Sequence, residues 1–200
     1  MTIFTNPVLH MIPQYHVEGA LAAIENNGLV LCPTDTLWSV ACNANDPVAV
    51  LRLLRLKPNA HANSFEVLVD SIDMLRQYVE HLHPRVETLL SYHTRPLTVV
   101  FEKGRNLPEK IQNPDGSIAV RIVQDEFCRD LIGYLKHPLV STYAHLEGTP
   151  MPTHFGAVSS AVIEAVDYVV RYRQNDKSHG QPSVMVRLLE EEEEMEFLRE

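Results

Sequence analysis

An α/β fold is what this sequence predicts, on three observations. Short, continuously apolar segments such as 29–32 (LVLC) and 138–142 (PLVST) read as strands covered on both faces. Stretches with apolar residues at helical spacing lie between them and carry end signals, Gly28 behind residues 16–27 and Asp46 ahead of Pro47. Strands that alternate with helices build a layered sheet, and the uneven lengths between them predict a mixed one.

Residues 16–27 place Val17, Leu21 and Ile24 on one helical face. The strand at 29–32 runs into Pro33 and a polar cluster, Thr34-Asp35-Thr36, before apolar residues resume at Leu37 and Trp38. Asp46 caps a helix that continues through Val48, Leu51 and Leu54 to about Leu56. A strand at 65–69, a capped helix at 71–81 and a helix opened by Pro84 and ending near Tyr92 follow. Residues 97–102 and 118–122 are strand-like, and 124–135 are helical with Phe127, Leu131 and Leu135 aligned. After the strand at 138–142, residues 153–165 read as a helix and 168–172 as β-rich. A polar loop at 173–182 precedes a final clear strand at 183–189, and the glutamates at 190–194 read as a solvated turn between two strands. No internal repeat is present.

The 200 residues are 45% hydrophobic and 22% charged, enough for a sizeable core in one large domain or two small ones. No apolar run is long enough for a membrane span, and residues 1–11 lack the pattern of a signal peptide. Three cysteines without a CxxC pair read as reduced thiols in a cytoplasmic protein. The net charge is −9, but seven acidic residues and one basic residue fall in 190–200, leaving −3 for the rest. A strongly basic nucleic-acid footprint is therefore missing, although a local basic cleft is compatible with it.

The common nucleotide loops, G-x-x-x-x-G-K-[ST] and G-x-G-x-x-G, are absent, as are H-E-x-x-H and G-x-S-x-G. What recurs is small hydroxyls in and at the ends of strands: Thr34 and Thr36, Thr98, Ser141 and Thr142, and Ser183. Ligands of open α/β sheets bind beyond strand ends, where such groups and backbone amides hold carboxylates or phosphates. Singly, each hydroxyl is explained by strand propensity; the set points to a site. Arg121, inside IAVRIV, is either a guanidinium paired with a carboxylate or an arginine on the solvent face of an edge strand. Lys57 ends a helix just before Pro58, where it suits the helix C-terminus or an anionic ligand.

Seven fragments stand in order: PTDT at 33–36, RLLRLK ending at Lys57, RPLTVVFE at 95–102, IAVRI at 118–122, PLVSTYAHLEGTPMPT at 138–153, GQPSVMVRL at 180–188 and FLRE at 197–200. In that order and spacing they resemble the YrdC-like family of threonylcarbamoyl-AMP synthases. Its patterns are P-T-[DE]-T after a strand, a helix ending in lysine, PGPLT, VAVRIP, PLVSTSANLSGxPxPT, GxxSTVVDL and ILRxG. The resemblance implies a single domain over 1–200, with a twisted mixed sheet, flanking helices and a concave central cleft. It implies a nucleotidyltransferase that makes threonylcarbamoyl-AMP from ATP, L-threonine and bicarbonate with release of pyrophosphate, for threonylcarbamoyl modification of adenosine in tRNA. By the same resemblance, Thr36, Arg121, Ser141 and Ser183 surround threonine. Lys57, Thr98, Tyr143, His145, Thr153 and Arg199 lie near ATP. Magnesium comes with ATP and no protein-bound metal is expected; double-stranded RNA and a second copy of the chain are candidate further partners.

Departures fall inside these motifs. The family's glycine after P-T-[DE]-T-x-x is Ser39, which takes ordinary dihedrals or accepts strain. Lysine-glycine-arginine is Lys57-Pro58-Asn59, the glycine before PLT is Arg95, serine-alanine-asparagine is Tyr143-Ala144-His145, and serine-threonine-valine is Ser183-Val184-Met185. A lost charge-assisted phosphate contact weakens binding about ten- to a hundredfold. The alternative function is therefore a catalytically degenerate paralogue that binds a nucleotide or double-stranded RNA, the latter through Arg52, Arg55, Lys57, Arg95, Lys103 and Arg105.

Overall fold

A computed structural model describes residues 14–58, 60, 63–189 and 194–200. Helix α1 (Gln14–Glu25) leads to β1 (Val30–Cys32) and β2 (Ser39–Asn43), then α2 (Pro47–Arg55), β3 (Glu66–Val69), α3 (Ile72–Tyr78) and α4 (Pro84–Tyr92). They are followed by β4 (Leu97–Phe101), β5 (Ile118–Ile122), α5 (Glu126–Leu135), β6 (Leu139–Tyr143), α6 (Ser160–Glu164), β7 (Tyr168–Val169), β8 (Val184–Leu189) and β9 (Glu194–Arg199). The strands form one mixed sheet in the order β7-β1-β2-β6-β3-β5-β4-β8-β9. β1–β7, β3–β5 and β4–β8 are the parallel pairs.

Local chemistry explains most boundaries. The Asp46 carboxylate accepts from the amides of Val48 and Ala49, with Pro47 in the first turn, so α2 begins there. Ser71 and Asp125 cap α3 and α5 in the same way. Two expectations need correction. No strand was expected at 39–43, yet β2 pairs with both β1 and β6; its small residues are covered on both faces, so no alternation marks it. The helix expected over 153–165 is instead a short 3-10 turn at Phe155–Ala157 and the five-residue α6, because Ser159 starts a new helix with its own side-chain cap. The glutamates at 190–193 and residues 1–11 lie outside the described residues.

Alternation along the strands sorts side chains onto two faces. On one face Val40, Val67, Val99, Val120 and Val140 pack with Leu53 of α2, Leu75 of α3 and Leu90 of α4. On the other, α1 and α5 cover Val30, Cys32, Ala41, Leu68 and Leu139 with Val17, Ile24, Phe127 and Leu131. This second cover spans only part of its face. Beyond it, β3, β5, β4 and β6 present Glu66, Arg121, Thr98 and Ser141, and the functional groups lie there. Cys32, Cys42 and Cys128 are free and buried, and among the described residues no helix is long and apolar enough to cross a membrane.

Phe127 has no solvent exposure and stacks on Tyr172 at 6.1 Å between centroids, whereas Phe197 on edge strand β9 is 61% exposed. Phe127→Ala should therefore lower unfolding free energy by about 3–5 kcal/mol in urea titrations, and Phe197→Ala by no more than about 0.5 kcal/mol.

Candidate functional site

The PTDT segment is a turn closed by its own side chains. Thr34 Oγ1 donates to the Leu37 carbonyl at 2.8 Å and accepts from the Thr36 amide at 3.1 Å; the two threonine hydroxyls are 2.9 Å apart. Ser39 opens β2 opposite Cys32 and Tyr143 with a negative φ, so replacing glycine there introduces no strain. The 173–182 loop lies across this turn: Arg173 donates to the Thr34 carbonyl at 3.2 Å and to Asp125 at 2.9 Å. Gly180 faces the Thr36 carbonyl so closely that a Cβ would overlap it.

The turn aims Asp35 at Arg121. The Arg121 guanidinium has no solvent exposure; Nη1 donates to Asp35 Oδ1, and Nε to Glu66 Oε2 at 3.1 Å. Burial disfavours its charge, but the two carboxylates outweigh that and raise its pKa further. Glu66 Oε1 accepts from Arg199 Nη2 at 2.9 Å. The same Nη2 reaches Ser183 Oγ at 2.7 Å and the Tyr143 hydroxyl at 3.3 Å, while Nε donates to the Ser183 carbonyl at 2.7 Å. Ser183 Oγ also meets Thr98 Oγ1 at 2.7 Å. Four alternating charges, Asp35, Arg121, Glu66 and Arg199, thus join the first turn to β5, β3 and β9. Arg121 Nη2 is buried without a partner among the described residues, a state a ligand acceptor would relieve.

Beside this ladder is a cavity of about 540 Å³, lined among others by Lys57, Ser141, Tyr143, His145, Arg187 and Arg199. Its volume is in the range that holds small-molecule ligands. Lys57 Nζ donates to the Tyr143 carbonyl at 2.9 Å and lies 3.3 Å from His145 Nδ1. An ammonium only donates, so His145 is neutral with its proton on Nε2; burial first, and Lys57 second, hold its pKa below the usual value. Burial pulls Lys57 down from its ordinary 10.5 to about 8, against an opposing pull from Glu147. Burial, and then Glu66, push the Tyr143 phenol up, and the Arg199 guanidinium stands over its ring at 5.7 Å.

The residues singled out from the sequence therefore divide. Lys57, Ser141, Tyr143, His145 and Arg199 line the large cavity. Thr36 and Thr153 line a second one of about 190 Å³, with Asp35, His154, Arg173 and His179. Arg121, Thr98 and Ser183 belong to the buried hydrogen-bonded wall. Arg121 was expected to grip a ligand carboxylate with two nitrogens; two of its three are engaged by Asp35 and Glu66, so that grip requires one of them to withdraw. Asn59 lies outside the described residues. Of the six cations suggested for RNA, Arg52 is paired with Asp167, Lys103 with Glu80, and Lys57 is buried in the cavity. Asp35, Glu66 and Arg187 were not singled out. Glu66 had one visible signal, a carboxylate inside the apolar strand FEVLV.

Removing one partner of a buried ion pair strands the other charge. Glu66→Gln and Arg121→Met should each lower stability by about 3–5 kcal/mol, and the double variant by clearly less than their sum, in a denaturant double-mutant cycle.

A model of the Sua5/YciO/YrdC family, described as telomere recombination, matches residues 22–200. The threonylcarbamoyl-AMP synthase of Xanthomonas axonopodis pv. citri is 30% identical over 157 residues, covering 77% of this chain and 84% of the relative. Pyrococcus abyssi Sua5, solved in complex with L-threonine, superposes with a TM-score of 0.77 at 23% identity over 88% of this chain. This chain spans about half of that protein, 52% of its length. Escherichia coli YciO gives a TM-score of 0.80 at 18% identity, over 94% of this chain and 89% of its own. These two superpositions establish the shared fold, and with the family match over nearly the whole length the chain belongs to the Sua5/YciO/YrdC family.

Proposed function

We propose that the chain is a nucleotidyltransferase that makes threonylcarbamoyl-AMP from L-threonine, bicarbonate and ATP, releasing pyrophosphate, to supply threonylcarbamoyl modification of adenosine in tRNA. One observation carries the reading: a single cavity gathers Lys57, Ser141, Tyr143, His145 and Arg199 from three separate stretches of chain, next to a buried arginine with one open nitrogen. The name of the Xanthomonas relative supports the same activity. The free, buried thiols fit a reducing compartment such as the cytoplasm.

The chemistry needs positioning and charge stabilisation rather than a covalent nucleophile. Threonine nitrogen adds to bicarbonate with loss of water to give a carbamate. A carbamate oxygen then attacks the α-phosphorus of ATP, and the bond to pyrophosphate breaks. Arg121 Nη2 offers a donor to the threonine carboxylate, with the hydroxyls of Thr36, Ser141 and Ser183 around it. Lys57 and Arg199 offset the phosphate charge, and Tyr143 and His145 form the wall beside the nucleotide. Magnesium would arrive on the triphosphate; among the described residues no group of three His, Cys, Asp or Glu is placed to hold a metal.

A second reading, a nucleotide- or RNA-binding protein without turnover, is favoured by the internal pairing of Arg121 with Asp35 and Glu66. Incubation with ATP, L-threonine, bicarbonate and magnesium separates the two. The synthase reading expects threonine-dependent pyrophosphate release and the adenylate product; ATP binding without turnover would establish the second reading instead.

Lys57 adds a pH signature. A bound triphosphate favours the ammonium, which the free protein loses above about pH 8. ATP affinity should fall as pH rises from about 8 to 9.5, with proton uptake on binding in calorimetry. Lys57→Met should bind more weakly at about pH 7 and lack that fall.

A further inference from the structure

The large cavity holds more unused cationic donors than the residues singled out from the sequence supply. Arg187 lines it and is half-buried, yet makes no hydrogen bond or ion pair among the described residues. Its cross-strand neighbour Glu196 makes no ion pair with it among the described residues, and Asp115, held below the usual carboxylate range chiefly by its hydrogen bonds to Ser117, is lowered only slightly further by Arg187. Arg199 engages Nε and Nη2 and leaves Nη1 without a partner among the described residues. Among the described residues Lys57 uses two of its three donors. The acidic side of the lining is already committed. Glu66 is held by Arg121 and Arg199, and Glu147 has a partner of its own. What remains open is cationic, and its complement is an anion.

Register places Arg187 relative to the ladder. Ser141, Glu66, Ala119, Val100 and Arg187 form one cross-strand row through β6, β3, β5, β4 and β8. Residues directly opposite share a face, so Arg187 projects on the face that carries Glu66. Three strand spacings of about 4.8 Å separate them, and the intervening positions are the small Ala119 and Val100. The row is therefore a low floor with a charged wall at each end. The family pattern GxxSTVVDL, laid on 180–188, has an aspartate where this chain has Arg187, and the pattern's lysine-glycine-arginine has its arginine where this chain has Asn59.

We propose that Arg187 is a binding residue for the nucleotide polyphosphate, the third arm of an anion clamp completed by Lys57 and Arg199. The clamp rests on the nucleotide reading for its ligand, and restores within β8 a cation that the segment after Lys57 lacks. Arg187 grips non-bridging phosphate oxygens by charge-assisted hydrogen bonds and leaves the adenosine untouched.

The test is calorimetry on the intact protein with inorganic tripolyphosphate, magnesium-ATP and adenosine, for wild type, Arg187→Gln and Arg187→Lys, with thermal unfolding to verify folding. Arg187→Gln should bind tripolyphosphate and ATP about ten- to a hundredfold more weakly, with a shallower salt dependence and unchanged adenosine binding; Arg187→Lys should recover part of the loss. Folded Arg187→Gln that binds both anions like wild type overturns the clamp while the nucleotide reading stands, and so does an equal loss for adenosine. Arg187-dependent binding of tripolyphosphate without any ATP binding upholds the clamp and sinks the nucleotide reading. If Arg187→Gln does not fold, Arg187→Lys should still bind both anions measurably more weakly than wild type with adenosine binding unchanged; Arg187→Lys with wild-type affinity for both anions, or binding of neither anion by wild type, overturns the clamp.

Discussion

A guanidinium with no exposure to solvent sits in the middle of the sheet, and the arrangement of the site follows from what that requires. Removing such a charge from water is worth several kcal/mol of penalty, offset only by close, well-aligned partners. Arg121 finds them in Asp35, from the turn after β1, and Glu66, from the neighbouring strand β3. Glu66 in turn fastens Arg199 near the end of the chain. One buried residue thus sets the position of the first turn, a central strand and the final strand at once. Neutralising substitutions along the ladder would loosen all three together.

The same requirement explains why one face of the sheet is divided. Helices α1 and α5 cover the strands where their side chains are apolar. They do not extend over the charged rows, where Glu66 pairs with Arg121 and Arg199 instead. The gap left beside the ladder is the large cavity, and its rim is built from local necessity. The chain after β6 must turn, and Lys57 satisfies the Tyr143 carbonyl as it does so. The lowered pKa of Lys57 is the electrostatic counterpart of that burial. It makes the lysine a donor that gains from an arriving anion.

Much of this was legible in the sequence, and what was missed has physical reasons. Arg121 was visible as a charge in an apolar strand, and of the hydroxyls at strand ends Ser141 lines the large cavity, Thr36 the smaller one, and Thr98 and Ser183 the buried wall. The caps at Asp46 and Ser71 located helix starts because capping is local. β2 escaped notice because its sequence, SVACN, offers neither alternation nor an unbroken run of large apolar residues of the kind that marked β1 and β6. Asp35 and Glu66 did not declare themselves as partners of Arg121, since they lie 86 and 55 residues away and only the sheet order brings them together. Ser39 resolves cleanly: a position where the family pattern carries glycine is ordinary strand here. Tyr143, which stands where the family pattern has serine, has its phenol tied to Arg199 and Ser183.

Under the proposed function, the charge ladder is the fixed wall of a site that takes threonine and a nucleotide side by side. A crystal structure with L-threonine and a non-hydrolysable ATP analogue tests it most directly. A threonine carboxylate oxygen should lie within hydrogen-bonding distance of Arg121 Nη2, with the triphosphate against Lys57 and Glu66 still bridging Arg121 and Arg199. Ligands bound elsewhere, or bound in the cavity with Glu66 swung away from both arginines, would contradict it.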